Sequence, residues 1–216
     1  MSHRIIASLA CSLLLAPAAA HATVMEGDFS GTIDNGTDVT GVFGTPGDLT
    51  GDSVTGTFTY NTALFSQVTA GGVNTATGTG IGALTVTLSI NGHSHTFTDN
   101  TSAGLLLDTN ASEATIESAN STGGNAENFF LDASDPITPF ITSTSLTATW
   151  STTNPFSSSG TFAIIDPGAG AGGAFTLGTF EVTGQAPSPT PEPAGMALLA
   201  VGLGGVAAVR RRRRTA

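Results

Sequence analysis

Between Thr23 and Val209 the chain has no lysine and no arginine; its six basic residues are Arg4 and the run Arg210, Arg211, Arg212, Arg213 and Arg214. Fifteen of the sixteen acids lie between Thr23 and Thr190, so that segment carries a formal charge near −15. Nothing in it neutralises phosphate, which excludes nucleic acid as a partner. Schiff-base lysines and arginine clamps are equally excluded from any chemistry it performs. The one cysteine, Cys11, precedes Thr23, so disulfides and thiol catalysis are excluded as well. One tryptophan and one tyrosine leave few aromatic platforms of the kind that hold sugars. There is no G-x-S-x-G, no H-E-x-x-H and no Gly-rich loop leading from a strand into a helix. No catalytic residue and no bound cofactor is expected.

Also missing from this segment is a helical hydrophobic period. Period-two alternation is present instead: Leu84, Val86, Leu88 and Ile90 against Thr85, Thr87 and Ser89, and likewise Val54, Phe58 and Tyr60 against Thr55, Thr57 and Thr59. Strands are predicted near 24–33, 53–61, 83–90, 93–98, 104–108, 114–118, 128–132, 146–151, 161–165 and 174–183. In the last, Phe175 and Leu177 are out of phase with Phe180 and Val182, and a bulge at Gly178 would return all four to one face. The expected class is all-β, a two-sheet β-sandwich or jelly roll. Residues 34–52 read as an Ω-like loop of successive turns, with Val42, Phe43 and Leu49 packing inward. Residues 71–80 and 167–173 read as flexible loops.

Asn91-Gly92 is a type I′ hairpin signal that pairs Ile90 with His93, Leu88 with His95 and Val86 with Phe97. His93 and His95 then share a face with the apolar row. They read either as two ligands of a metal site awaiting a third, with Asp99 nearby in sequence, or as rim-of-core residues; the second reading is favoured. For an acidic exported chain the metal that would suit is calcium, at Asp34-Asn35-Gly36-Thr37-Asp38, at Asp132-Ala133-Ser134-Asp135, or at Asp48 and Asp52. Asp residues capping their own turns are the preferred account of each. T-x-T pairs at 55/57/59, 85/87, 96/98 and 147/149 put threonines on strand faces, but their irregular sequence intervals argue against a regular array.

The two ends carry addresses. Arg4, the apolar run Ile5–Leu15 and Ala20-His21-Ala22 before Thr23 form a signal peptide with its cleavage site. At the other end a Pro-rich spacer leads into Pro191-Glu192-Pro193, an apolar run from Ala194 to Val209, and the five arginines. That run would make a helix of about 24 Å at 1.5 Å per residue, a little short of a ~30 Å hydrocarbon core. The arginines would hold its end in the cytoplasm. The chain thus divides into a signal peptide (1–22), a β domain (23–184), a linker (185–193), a transmembrane helix (194–209) and an Arg-rich cytoplasmic tail (210–216).

This three-part tail resembles the PEP-CTERM sorting signal of Gram-negative bacteria, which is also labelled an ice-binding-protein C-terminal domain. The resemblance implies recognition and cleavage by an integral-membrane exosortase. It further implies a transient membrane anchor followed by delivery to the cell surface or extracellular matrix, often beside exopolysaccharide production and biofilm. The leading expectation is therefore an exported, non-enzymatic, acidic β-sandwich. A calcium-dependent carbohydrate-binding module and a glycoside hydrolase are the alternatives.

Overall fold

The computed structural model describes residues 23–78, 80–122, 125–166 and 169–186. The expected signal-peptide helix (with Ala20 and Ala22) and the expected transmembrane helix with its Pro-Glu-Pro and arginines lie outside the described residues. Thirteen strands run in chain order: β1 Val24–Asp38, β2 Gly47–Asp48, β3 Ser53–Asn61, β4 Phe65–Ala70, β5 Val73–Gly78, β6 Leu84–Ile90, β7 His93–Thr98, β8 Ser102–Asp108, β9 Glu113–Thr122, β10 Asn125–Ser134, β11 Trp150–Thr153, β12 Ser157–Asp166 and β13 Ala169–Gln185. Among the described residues the only helical piece is a 3₁₀ turn, Thr62–Leu64.

The fold is all-β, and its hydrogen bonding makes one curled antiparallel sheet where two were expected. The strand order is β4-β5-β8-β9-β10-β12-β13-β1-β3-β6-β7, with β11 on β13 and β2 on β1. Continuity depends on β13, which is 17 residues long. It pairs with β12 through its first half, with β11 through its second, and with β1 along its length. Bulges let so long a pair bend. Between Ser30↔Thr179 and Gly31↔Leu177 the extra residue is Gly178, and Phe175, Leu177, Phe180 and Val182 all face inward. Ala186 N–H donates to the Val24 carbonyl (2.8 Å), so the described chain begins and ends side by side.

The concave face holds the core. The curl brings β7 over β10, where the Phe97 and Phe129 rings lie 5.3 Å apart, and Phe129 meets Phe29 of β1 at 5.5 Å. Several rings lie over glycines of the adjacent strand. Gly27 pairs with Phe58, Gly56 with Phe29 and Gly160 with Phe175, and a Cβ at any of the three would fall inside the facing ring. The glycines forfeit packing of their own, and the rings fill the space they leave.

The predicted strands are found, one of them displaced, and three further strands, β2, β4 and β5, are unpredicted. β11 starts at Trp150; Leu146, though buried, sits in a turn where its carbonyl accepts the Tyr60 hydroxyl (2.7 Å). Residues 71–80 are not a loop: Gly71-Gly72, both at positive φ, close a β4–β5 hairpin. Its inward positions include a buried asparagine, Asn74, which masks the apolar period. Residues 169–173 belong to β13. The expected 34–52 loop is shorter than predicted, since 34–38 continue β1 and 47–48 form β2, but Phe43 and Leu49 pack inward as expected.

Replacing Gly56 by alanine is expected to cost about 2 kcal/mol, because the new methyl competes with the Phe29 ring. The exposed neighbour Thr57→Ala should cost less than about 0.5 kcal/mol. Urea midpoints of the two variants provide the check.

Candidate functional site

A shallow groove of about 850 Å³ lies across the far half of β1. Asn35, Gly36 and Thr37 of β1 lie between Ala174, Gly173 and Gly172 of β13 on one side and Asp48 of β2 on the other. Glycines make much of the floor. The Asp48 carboxylate and the Thr37 and Thr50 side chains supply polar groups around it.

Asp38 shapes this end of the molecule. It is 1 % exposed, and its Oδ1 accepts the N–H groups of Thr40, Gly41 and Val42 at 3.2, 2.8 and 3.1 Å. Its Oδ2 accepts Phe43 N–H at 2.7 Å. In a domain without lysine or arginine, backbone donors satisfy the buried carboxylate and fix the loop around it. The loop then returns along β1 through Leu49 N–H to the Gly36 carbonyl (3.0 Å) and Gly51 N–H to that of Ile33 (2.8 Å).

The other acids flagged in the sequence each accept hydrogen bonds, Asp48 and Asp135 within their own turns and Asp34, Asp52 and Asp132 from distant residues. Asp48 accepts Thr50 N–H (2.9 Å), and hydrogen bonds from Thr50 hold its carboxyl below the usual range. Asp135 accepts Ile137 and Thr138 N–H at 3.0 and 2.7 Å. Asp34 accepts the Thr176 hydroxyl (2.8 Å), Asp132 that of Thr115 (3.0 Å) and Asp52 the Asn91 amide (2.7 Å). Among the described residues no three His, Cys, Asp or Glu side chains converge as a metal-holding group.

The hairpin register is as expected, with Asn91 and Gly92 at φ 54° and 77°. His93 is exposed, and His95 is half-buried at the rim with its ring against Phe97 (4.9 Å). Folding brings a carboxylate to His95 that its sequence neighbours did not reveal: Nε2 lies 3.1 Å from Glu127 Oε1 on β10. Asp99 is instead fully buried, its Oδ1 accepting Leu84 N–H (2.7 Å).

Two further groupings come from strand register. The T-x-T strands at 55/57/59, 85/87 and 96/98 are adjacent despite their irregular sequence intervals, in cross-strand rows Thr55–Ser89–Ser94, Thr57–Thr87–Thr96 and Thr59–Thr85–Thr98. On the outer face of β8, β9 and β10 stand Asp108, Glu113 and Asp132. Partial burial, then the charges of Asp132 and Asp108, push the Glu113 carboxyl up from 4.5. A carboxylate raised in the fold costs stability when ionised. That cost is fully present above the raised value and gone below 4.5. Glu113→Gln should therefore raise the melting temperature at neutral pH, and the gain should vanish as pH falls through that window; thermal melts across the acid range check it.

No curated protein and no solved structure matches the chain. The family model of the PEP-CTERM protein-sorting motif matches residues 189–214. The match spans the Pro-Glu-Pro, the apolar run and the arginine block, the three features that carry the resemblance in sequence. The chain thus carries a PEP-CTERM protein-sorting motif, the mark of an exported protein handed to a membrane-embedded exosortase for display at the cell surface.

Proposed function

We propose that the chain is a non-enzymatic, acidic β protein delivered to the cell surface or extracellular matrix, where it contributes to an exopolysaccharide-rich biofilm. The observation that carries this reading is the sorting motif at residues 189–214. Arg210–Arg214 anchor the helix on the cytoplasmic side, Pro191-Glu192-Pro193 mark the site for the exosortase, and cleavage after Ala22 frees Thr23. The non-enzymatic part is supported by where the acids stand. The β1 groove has one carboxylate, Asp48, and a second groove over β1, β3 and β6 also has one, Asp28. Asp108, Glu113 and Asp132 gather on an open strand face, whereas glycoside hydrolysis needs paired carboxyls flanking a bound sugar.

With no Lys or Arg between Thr23 and Val209, trypsin digestion of the released protein should leave one large fragment starting at Thr23. Its mass locates the C-terminal cut, and a mass that still includes Ala194–Val209 contradicts exosortase processing.

A second reading is a calcium-dependent carbohydrate-binding module. Asn35, Thr37 and Asp48, flagged in sequence as calcium candidates, line the β1 groove. A divalent ion would bridge so acidic a domain to an acidic glycan. Titration calorimetry should then show heat with millimolar calcium, lost in Asp48→Asn. No heat at that concentration removes this reading and leaves the first intact.

A further inference from the structure

We propose that the free edge of β4 is a self-association surface, where a second copy of this chain adds its own β4 antiparallel and continues the sheet. β4 ends the strand order and pairs with β5 alone. Five of its six residues, Ser66 to Ala70, are exposed. Edge strands are ordinarily guarded by charge, proline or a bulge. β4 reads Phe-Ser-Gln-Val-Thr-Ala and has none of these, and its register with β5 is unbroken. Val68 is 71 % exposed at its centre.

Electrostatics and symmetry select the occupant. From Ser53 to Thr98 there is no Asp, Glu, Lys or Arg, so β3 to β7 are free of acids while β1, β8, β9, β10, β12 and β13 carry them. A cationic partner would be drawn to those acidic strands. β4 and its neighbour β5 carry no charge, so a body as acidic as this one can approach the β4 edge with little repulsion. An antiparallel pair about a twofold axis normal to the sheet keeps inner and outer faces aligned. Centred on Val68, it sets Val68 against Val68, Gln67 against Thr69 and Ser66 against Ala70. The valines bury their exposed surfaces on each other, and no charges oppose. The other terminal strand, β7, is less free, because it lies over β10 through the His95–Glu127 and Phe97–Phe129 contacts.

The inference goes beyond the proposed function and is tested apart from delivery, on the purified full chain in excess detergent. Cys11→Ser removes the only cysteine. In that background Val68→Cys is compared with Thr75→Cys, which is exposed directly opposite Val68 but one strand inward. Under mild oxidation Val68→Cys should give at least ten times the disulfide-linked dimer of Thr75→Cys; equal yields overturn the proposal. In a second measurement, differently tagged copies are co-purified. Val68→Lys should lower recovery about tenfold and Thr96→Lys on β7 should leave it unchanged; the reverse pattern, or no recovery with the unaltered chain, also overturns it. Both lysines replace solvent-facing side chains, so the core is untouched in either variant.

Discussion

Burial of one concave face is the constraint on which everything else rests. The domain has no disulfide to close it and no lysine or arginine to pair its acids, so the closing force is apolar. A single sheet can enclose a core only by bending. The bending is concentrated in β1 and β13, where register shifts at three points let two long strands wrap without breaking their ladder. Phenylalanines then supply the bulk: Phe29, Phe97, Phe129 and Phe175 pack on one another from four different strands. Facing glycines, Gly56 and Gly160, give Phe29 and Phe175 room.

The same shortage of cations explains how the acids are housed. A buried carboxylate must be met by donors, and here the donors are backbone N–H groups and hydroxyls. Asp38 takes four N–H groups and in doing so defines a loop; Asp135 does the same on a smaller scale after β10. Other carboxylates stand on the outer face, where Asp108 and Asp132 also accept hydrogen bonds and their charges help push the Glu113 carboxyl up. Turn chemistry thus does structural work that salt bridges would otherwise do.

Much of this was legible from residue order because it is local. Alternation located most strands, Asn91-Gly92 set the β6–β7 register, and the phase break at Gly178 identified a bulge. The loop from Asp34 to Asp52 also betrayed its inward residues. What stayed hidden was long-range or atypical. The β4–β5 hairpin hides a polar Asn74 in its inner row, and its Gly-Gly turn passed for slack chain. Whether strands divide between sheets or continue as one depends on how far β13 extends, which no local pattern states. Glu127 lies 32 residues from His95, and the threonine rows form only once β3, β6 and β7 are neighbours. The address at residues 189–214 was plain because its information lies in order alone.

The bond between Ala186 and Val24 has a consequence for how the domain is held. Both ends leave from one pole, and β1 then runs to Asp38, a span of about 45 Å at ~3.3 Å per residue. The domain is therefore closed at one end of β1, where Val24 and Ala186 are hydrogen-bonded, with Asp38 at the other end. The glycine-floored hollow and the loop built on Asp38 lie at that other end, away from the Val24–Ala186 bond.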